Sequence, residues 1–340
     1  MNLSLSFAKY LFFGIINRLL TYTLAPRRNA YMAHDFTLTF HGVRGSIPVP
    51  GPTTLKVGGN SSCVQVNVLD HTIFLDAGTG IVEAGKKLVK NFFINKEKLK
   101  KLKATILISH THHDHIMGLP FFAPIFIPDS SLSIYGPSTY APIGQPNDMK
   151  YILDLLMDQM FFPVDFEETS SIKHVGTLKS QDQIILAEGE EAERVSGPNH
   201  GHNSKDKVIV TQYRAYNHPK NGSIVYKLEF AGKSIVYATD VEGYAEGDKR
   251  LIQFAKGADV LIHDAQYTME QYTGPMPTQG FGHSTPEMAC RVAQDAGVKQ
   301  LVLYHHDPNH DDAAIEKKEE GAKKLFANTI TAVEGLTLTI

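Results

Sequence analysis

The sequence predicts an α/β protein with αββα layering, in which two mixed β-sheets pack face to face and helices cover their outer faces. Three observations lead to this fold class. In each half of the chain, apolar runs of strand length come first and amphipathic segments follow, and no internal repeat is obvious. The composition is that of an ordinary globular protein, with 42% hydrophobic and 20% charged residues among 340. Such a chain can bury a large core.

The first 35 residues differ from the rest and are treated as an N-terminal extension of a catalytic domain at 36–340. Residues 3–24 are largely apolar, but their uncharged runs are far shorter than the roughly 20 residues that a membrane-spanning helix needs. Two alternatives stay open. The segment forms an interfacial helix with weak membrane-surface contact, or translation begins naturally at Met32.

Charge and cysteine content narrow the class of protein. The net charge of −3, from 33 basic and 36 acidic side chains, leaves no global electrostatic footprint for nucleic acid. Cys63 and Cys290 are too few for a disulfide framework, which suits a reducing cytosol. We therefore expect a cytoplasmic protein with no stable protein partner, and a homodimer remains open.

The first half of the chain alternates short strands with turns. Residues 36–40 alternate apolar and polar side chains, as a half-buried strand does, and the Gly- and Pro-rich residues 42–60 favour a loop. A hairpin at 63–75 precedes a glycine turn, and the following residues have helical spacing with lysines late in the helix. The predicted elements are strands at 36–40, 63–69, 72–75 and 104–109, and a helix at 81–89.

The second half begins with proline-rich, irregular chain around one strand. The apolar stripe at Tyr151, Ile152, Leu155, Leu156 and Met160 predicts an amphipathic helix whose stripe is core. The stretch 143–205 is considered as a substrate-selecting insertion, and its loop histidines at 200 and 202 are expected at the surface. The predicted elements are strands at 132–135, 208–214, 223–230, 234–238, 260–263 and 300–304, helices at 148–160, 285–296 and 313–326, and strand-and-loop structure at 165–194.

The most informative motif is H-x-H-x-D-H, formed by His110, His112, Asp114 and His115. It directly follows the apolar run at 104–109, so it lies where a buried strand ends. Imidazole and carboxylate groups together suit zinc, manganese or iron, and one loop with four of them can serve two ions. The plain alternative is a polar loop that happens to contain histidines.

Three further polar residues follow other predicted strands. His218, Asp240 and His305 each stand at or just after a strand end. Alone, each is usually a turn residue or a hydrogen-bonded polar group. Together with the H-x-H-x-D-H loop, they fit better as the remaining ligands of a two-metal site.

On these motifs the chain resembles the metallo-β-lactamase superfamily, in the phosphodiesterase branch near ribonuclease Z and the cyclic-nucleotide phosphodiesterases. The motifs match in order from about residue 36 to 312, and Asp76, Gly78 and Gly80 match the family's early glycine turn. The resemblance implies the metallo-β-lactamase fold and two divalent ions, zinc first, with manganese or iron as alternatives. It assigns His110, His112 and His218 to one metal, Asp114, His115 and His305 to the other, and Asp240 to the bridge.

A second pair points to the phosphodiesterase branch. Asp264 and His283 resemble the acid and histidine of ribonuclease Z, where a carboxylate orients a histidine near the leaving group. The resemblance thus implies catalytic roles for Asp264 and His283, alongside Asp114. The structural alternatives are a turn residue for Asp264 and a neighbour of a helix N-cap for His283.

The expected function is hydrolysis of a phosphodiester, with a cyclic nucleotide or other small phosphodiester preferred to RNA as substrate. Against tRNA stands a cluster of acidic residues between 167 and 193, which argues against a polyanion grip. No Gly-rich, basic tRNA-clasping arm is obvious. The alternative enzyme is a tRNA 3′-end processing endoribonuclease, and the non-enzymatic alternative is a metal-binding sensor or interaction module.

Overall fold

Two mixed β-sheets lie face to face, and helices cover the outer side of each, as the sequence predicts. The computed structural model describes residues 36–97, 99–140, 146–197, 204–244 and 246–340. The N-terminal alternatives and the two loop histidines at 200 and 202 lie outside the described residues. No helix within these ranges is long and apolar enough to cross a bilayer.

Strands make up most of the regular structure. In chain order they are β1 (Thr37–Gly42), β2 (Cys63–Val68), β3 (His71–Leu75), β4 (Leu102–Leu107), β5 (Ser130–Pro137), β6 (Thr139–Tyr140), β7 (Pro146–Asn147), β8 (Ile172–Leu178), β9 (Gln183–Ala187), β10 (Glu193–Val195), β11 (Lys207–Ala215), β12 (Ser223–Phe230), β13 (Lys233–Ala238), β14 (Val260–Asp264), β15 (Gln300–Tyr304), β16 (Thr329–Thr331) and β17 (Thr337–Thr339).

The α-helices alternate with strands along the chain, and four of those in the described residues lie between β13 and β16. Those in the described part of the chain are α1 (Gly80–Ile94), α2 (His113–Ile116), α3 (Met149–Leu156), α4 (Lys249–Phe254), α5 (Met269–Thr273), α6 (Pro286–Ala296) and α7 (Asp312–Leu325).

Each large sheet is antiparallel on one side and parallel on the other. The first has the order β17-β1-β2-β3-β4-β5-β8, and its strands are parallel from β3 to β8. The second has the order β10-β9-β11-β12-β13-β14-β15-β16 and is parallel from β13 to β16. Because neighbouring parallel strands end at the same edge, the residues that follow β4, β13, β14 and β15 can meet there.

Three apolar layers hold the sheets and helices together. The layer between the sheets includes Phe40 from the first sheet and Tyr226 and Tyr304 from the second. Helices α1 and α3 pack on the outer side of the first sheet, while α4, α6 and α7 pack on the second. The edge at which the parallel strands end is therefore formed by strands whose two faces are both covered.

The structure departs from the sequence-based prediction at α3. The helix begins as expected, with the Asp148 carboxylate accepting from the amide of Tyr151, but it ends at Leu156. Of the predicted core stripe, Ile152 is buried and Leu156 packs against the core, but Tyr151, Leu155 and Met160 are 52%, 50% and 78% exposed. The stripe is therefore right only in part, and Met149 and Leu153 complete the buried side of α3. The stretch 143–205 also contributes β8 to the first sheet and β9 and β10 to the second.

Candidate active site and metal centre

The predicted metal ligands come together at the edge where the parallel strands end. Ligand atoms of one group lie within 4.8 Å of one another, and those of a second group do likewise. We call them the first cluster (His110, His112, His218 and Asp240) and the second cluster (Asp114, His115 and His305).

Asp240 lies between the two clusters and presents one carboxylate oxygen to each. Its Oδ1 is 3.6 Å from Nε2 of His110 and 3.6 Å from Nε2 of His218. Its Oδ2 is 3.1 Å from Nε2 of His115 and 3.2 Å from Nε2 of His305. Asp240 would therefore be able to contact an ion held at either cluster.

Hydrogen bonds on the far side of the rings fix the tautomers of two imidazoles. Nδ1 of His115 lies 2.7 Å from Oδ2 of Asp76, and Nδ1 of His218 lies 2.9 Å from the carbonyl oxygen of Gly282. Each Nδ1 therefore carries the proton in the neutral ring, which leaves the Nε2 lone pair facing the clusters. Such outer hydrogen bonds are the usual support of metal-binding histidines.

His110 gives a direct test of whether a metal fits. Ser109 Oγ donates to Asp76, so it accepts from Nδ1 of His110 at 3.1 Å. The Nε2 atom of His110 is buried and has no hydrogen-bond partner among the described residues. A buried polar atom without a partner is costly unless an ion or water meets it. The imidazole and carboxylate donors around it suit zinc, manganese or iron, so the residues fit two divalent ions.

Three residues of this edge have backbone conformations that side chains rarely adopt. Asp76, Asp240 and His305 have φ values of 62°, 53° and 59°. Left-handed backbone costs a residue with a side chain roughly 1 kcal/mol or more, and it persists where the surroundings enforce it. The strand ends therefore hold these side chains in place at a cost to stability.

The side chains of the first cluster are held in the protonation states that bind metals. Burial lowers the pKa of His110 well below its usual range and, with the charge of His218, lowers that of His112 to about 4. Burial opposes ionisation of Asp240, but nearby imidazoles, that of His305 foremost, outweigh it and hold its pKa well below normal. Neutral imidazoles and ionised carboxylates are the forms that bind metals.

The second cluster differs in one respect. Burial lowers the pKa of His115, but three neighbouring carboxylates outweigh burial and raise it well above the usual value. A metal ion at the second cluster must therefore displace a proton from His115.

The predicted pair Asp264 and His283 adjoins both clusters. Nδ1 of His283 is 2.7 Å from Oδ2 of Asp264, and its ring stacks on that of His305 with centroids 5.0 Å apart. Burial lowers the pKa of His283, but the charge and hydrogen bond of Asp264 outweigh it and raise that pKa to about 9. Because Asp264 also accepts from the amides of Gln266 and Ser284, its carboxylate is fixed in place.

Sequence reasoning missed two supports of the site. Tyr237 donates its hydroxyl to Oδ2 of Asp76 at 2.8 Å, and the amide of Ser46 donates to Oδ2 of Asp114 at 2.7 Å. Tyr237 sits inside a strand and carries no sequence signal. The left-handed φ of 64° at Ser46 belongs to the Gly- and Pro-rich loop, which gave only a weak signal. His113, which stands between His112 and Asp114 and is not a predicted ligand, is exposed.

Comparison with known proteins identifies the family. Residues 57–204 match the Metallo-beta-lactamase superfamily and residues 158–306 match the Beta-lactamase superfamily domain. The chain belongs to the metallo-β-lactamase superfamily. The predicted family and fold are thus confirmed, and so is the prediction of a metal-dependent hydrolase that acts on ester bonds.

Relatives within the superfamily span almost the whole chain. Proteins named ribonuclease Z from Picrophilus torridus and Archaeoglobus fulgidus are each 27% identical. The alignments cover 91% and 90% of this chain and 97% and 98% of theirs. The crystal structure of human tRNase Z, short form, has a TM-score of 0.56 at 22% identity, covering 89% of this chain and 99% of that one.

Proposed function

We propose that this metallo-β-lactamase-fold hydrolase is a two-metal phosphodiesterase of the ribonuclease Z type. Its substrate class is RNA, and the 3′ end of precursor tRNA is the first substrate to test. The observation that carries the proposal is the contact of His283 with Asp264, directly beside the two clusters. A buried imidazole oriented by a carboxylate can donate the proton that a leaving alkoxide of RNA needs.

The choice of RNA differs from the expectation of a cyclic nucleotide or other small phosphodiester. That expectation has less support, because relatives named ribonuclease Z align over about nine-tenths of the chain. A small phosphodiester therefore becomes an outcome of the test.

The acidic residues between 167 and 193 are a weaker argument against an RNA substrate than the sequence suggested. Glu191 pairs with Lys101 at 3.2 Å, and Lys103 donates to the carbonyl oxygen of Glu190, both at the start of β4. His110 follows the other end of β4, roughly 20 Å away for a six-residue strand. Charges at that separation are screened by physiological salt, so these acids do not repel a substrate at the site.

Each cluster has a defined role in the proposed reaction. The first cluster would hold one divalent ion, the second the other, and Asp240 would contact both. Two ions held there supply a water of lowered pKa and stabilise negative charge on phosphoryl oxygens. We assign zinc, because imidazole-rich sites with carboxylates suit it, with manganese and iron as the alternatives.

The chain's own residues position substrate and protons around that chemistry. Asp264 holds Nδ1 of His283, so that Nε2 is the atom that can face the leaving oxygen. Tyr216 and Phe281, which are 75% and 57% exposed, stand two positions before His218 and His283. Exposed aromatic rings so close in sequence to these two histidines can stack on unpaired bases flanking the scissile phosphate, as in many RNA-binding proteins.

The experiment is cleavage of an end-labelled precursor tRNA, with cyclic AMP and bis-p-nitrophenyl phosphate assayed in parallel before and after chelation. We expect one endonucleolytic cut that is lost on chelation and restored by zinc. The Asp240→Ala variant should be inactive, and Asp129→Asn, at an exposed ion pair with Lys96, should be unchanged. Turnover of cyclic AMP without RNA cleavage favours the small-phosphodiester alternative. No metal-dependent turnover of any of the three favours the sensor alternative.

Two further predictions concern the oligomeric state and contact with a membrane surface. The predicted homodimer is tested by light scattering of the full chain. Membrane-surface contact through residues 3–24 is tested by sedimentation with anionic vesicles. Loss of that contact on deleting residues 1–31 would assign it to the segment.

A further inference from the structure

The carboxylate of Glu242 holds the loop that carries His283. Its Oε1 accepts from the amide of Gly280 at 2.7 Å and from the hydroxyl of Tyr272 at 2.7 Å. Its Oε2 accepts from the amide of Gly282 at 2.9 Å. Three donors thus converge on one partly buried side chain, and each bond to a charged acceptor is stronger than a neutral one.

Glu242 is also tied to two other parts of the site. It lies two residues after Asp240, whose carboxylate faces both clusters. Its own carbonyl oxygen accepts from the side-chain amide of Asn217 at 2.6 Å, and Asn217 directly precedes His218. One residue therefore connects the segments that carry Asp240, His218 and His283.

Gly282 links Glu242 to both His218 and His283. Its amide donates to Glu242, its carbonyl oxygen accepts from Nδ1 of His218 at 2.9 Å, and the next residue is His283. Its φ is 89°, and an added Cβ would lie 2.4 Å from Nδ1 of His218 and 2.5 Å from Cδ of Pro219. Only glycine satisfies both the conformation and the close approach.

We propose that Glu242 is a positioning residue that sets, through Gly282, the orientation of both His218 and His283. The proposal rests on the proposed function for the role of His283 at the leaving group. If the amides of Gly280 and Gly282 lose their acceptor, the carbonyl of Gly282 turns away from Nδ1 of His218. The His218 ring then loses the bond that directs Nε2 to the first cluster, and His283 shifts with its loop.

A glutamine at position 242 separates this role from simple packing, because it has nearly the same shape. Its amide oxygen can accept on one side only, so its NH2 group faces either Gly282 or Gly280 and Tyr272, which are donors themselves. Glu270→Gln is the matched control, since Glu270 is an exposed acid on α5 that also loses one charge.

The experiment makes three measurements on the full chain with Glu242→Gln and with the control. Zinc binding to the metal-free protein is measured by calorimetry, and thermal unfolding reports the fold. Hydrolysis is measured on precursor tRNA, whose leaving alkoxide needs a proton, and on bis-p-nitrophenyl phosphate, whose leaving group does not.

We expect Glu242→Gln to stay folded, to bind zinc about 10-fold more weakly, and to lose RNA cleavage by about 100-fold. Loss on the p-nitrophenyl ester should be about 10-fold, so the ratio of the two rates falls. The control should match the wild type throughout.

Equal losses on both substrates with unchanged zinc affinity overturn the proposal, and so does a control that behaves like Glu242→Gln. If the wild type cleaves no RNA, the proposed substrate fails, but zinc affinity still tests the His218 half. Should Glu242→Gln not fold, Glu242→Asp replaces it, because the shorter carboxylate keeps the charge and cannot reach both glycine amides. It carries the same expectations for the three measurements.

Discussion

The carboxylate of Asp76 accepts four hydrogen bonds, and replacing it with asparagine tests how the second cluster is supported. Its Oδ2 accepts from Ser109 Oγ at 2.8 Å, from His115 Nδ1 at 2.7 Å and from Tyr237 at 2.8 Å. Its Oδ1 accepts from the amide of Ser109 at 2.7 Å. The side chain is fully buried, so water cannot replace a lost partner.

The size of the effect follows from these contacts. The asparagine oxygen can keep the three donors on one side, which leaves the amide of Ser109 opposite an NH2 group at a cost of about 1–3 kcal/mol. The three bonds that remain become neutral and weaken by about 1 kcal/mol each. Because asparagine is uncharged, burying it costs less than burying the carboxylate, and this difference offsets part of the lost hydrogen-bond energy. We therefore expect the free energy of unfolding to fall by about 3 kcal/mol.

Metal affinity should fall as well, because the acceptor that fixes the tautomer of His115 becomes neutral and its hydrogen bond to Nδ1 weakens. We expect zinc to bind about 10–100-fold more weakly, with the loss confined to one of two ions. Denaturant unfolding of the metal-free protein and zinc calorimetry measure the two effects, with Asp129→Asn as the surface control. Unchanged affinity for both ions in Asp76→Asn would refute the reasoning that Asp76 holds His115.

Three other substitutions give separable results. His283→Ala should lower RNA cleavage by about 100-fold while the metal content, measured by mass spectrometry, stays the same; loss of metal would make it a ligand instead. Phe281→Ala should raise KM for RNA by about 10-fold and leave bis-p-nitrophenyl phosphate hydrolysis unchanged, and an unchanged KM would remove the stacking role. Gly45→Ala places a Cβ 2.4 Å from Cε1 of His305, so zinc affinity should drop, and normal affinity would show that the ring moves freely.

The positions of the candidate metal ligands were largely predictable, because these residues stand at strand ends. A run of apolar residues locates each strand, and the polar residue after it marks the edge, as for Asp240 and His305. The H-x-H-x-D-H motif places three more imidazoles and a carboxylate on one loop at the same edge, where they can meet the residues that follow the other strands. Supports such as Tyr237 and Glu242 could not be found this way, since their contacts join residues far apart in sequence.

The remaining errors have local causes. Helix α3 carries apolar residues on two sides, so the predicted stripe included residues that are exposed, and packing decided which side is buried. Strands β16 and β17 have three residues each and depend on pairing with β15 and β1. The acidic residues near 190 looked like an obstacle to RNA because sequence position does not show which end of the sheet they occupy.

Counting and locating metal ions tests the two-metal site most directly. We expect two divalent ions per chain by mass spectrometry of the zinc-loaded protein. Anomalous diffraction should place one against Oδ1 of Asp240 and His110, and the other against Oδ2 and His115. Asp240→Ala should lose at least one of them. A single ion in the wild type, or two ions retained by Asp240→Ala, contradicts the two-metal site with Asp240 as its bridge.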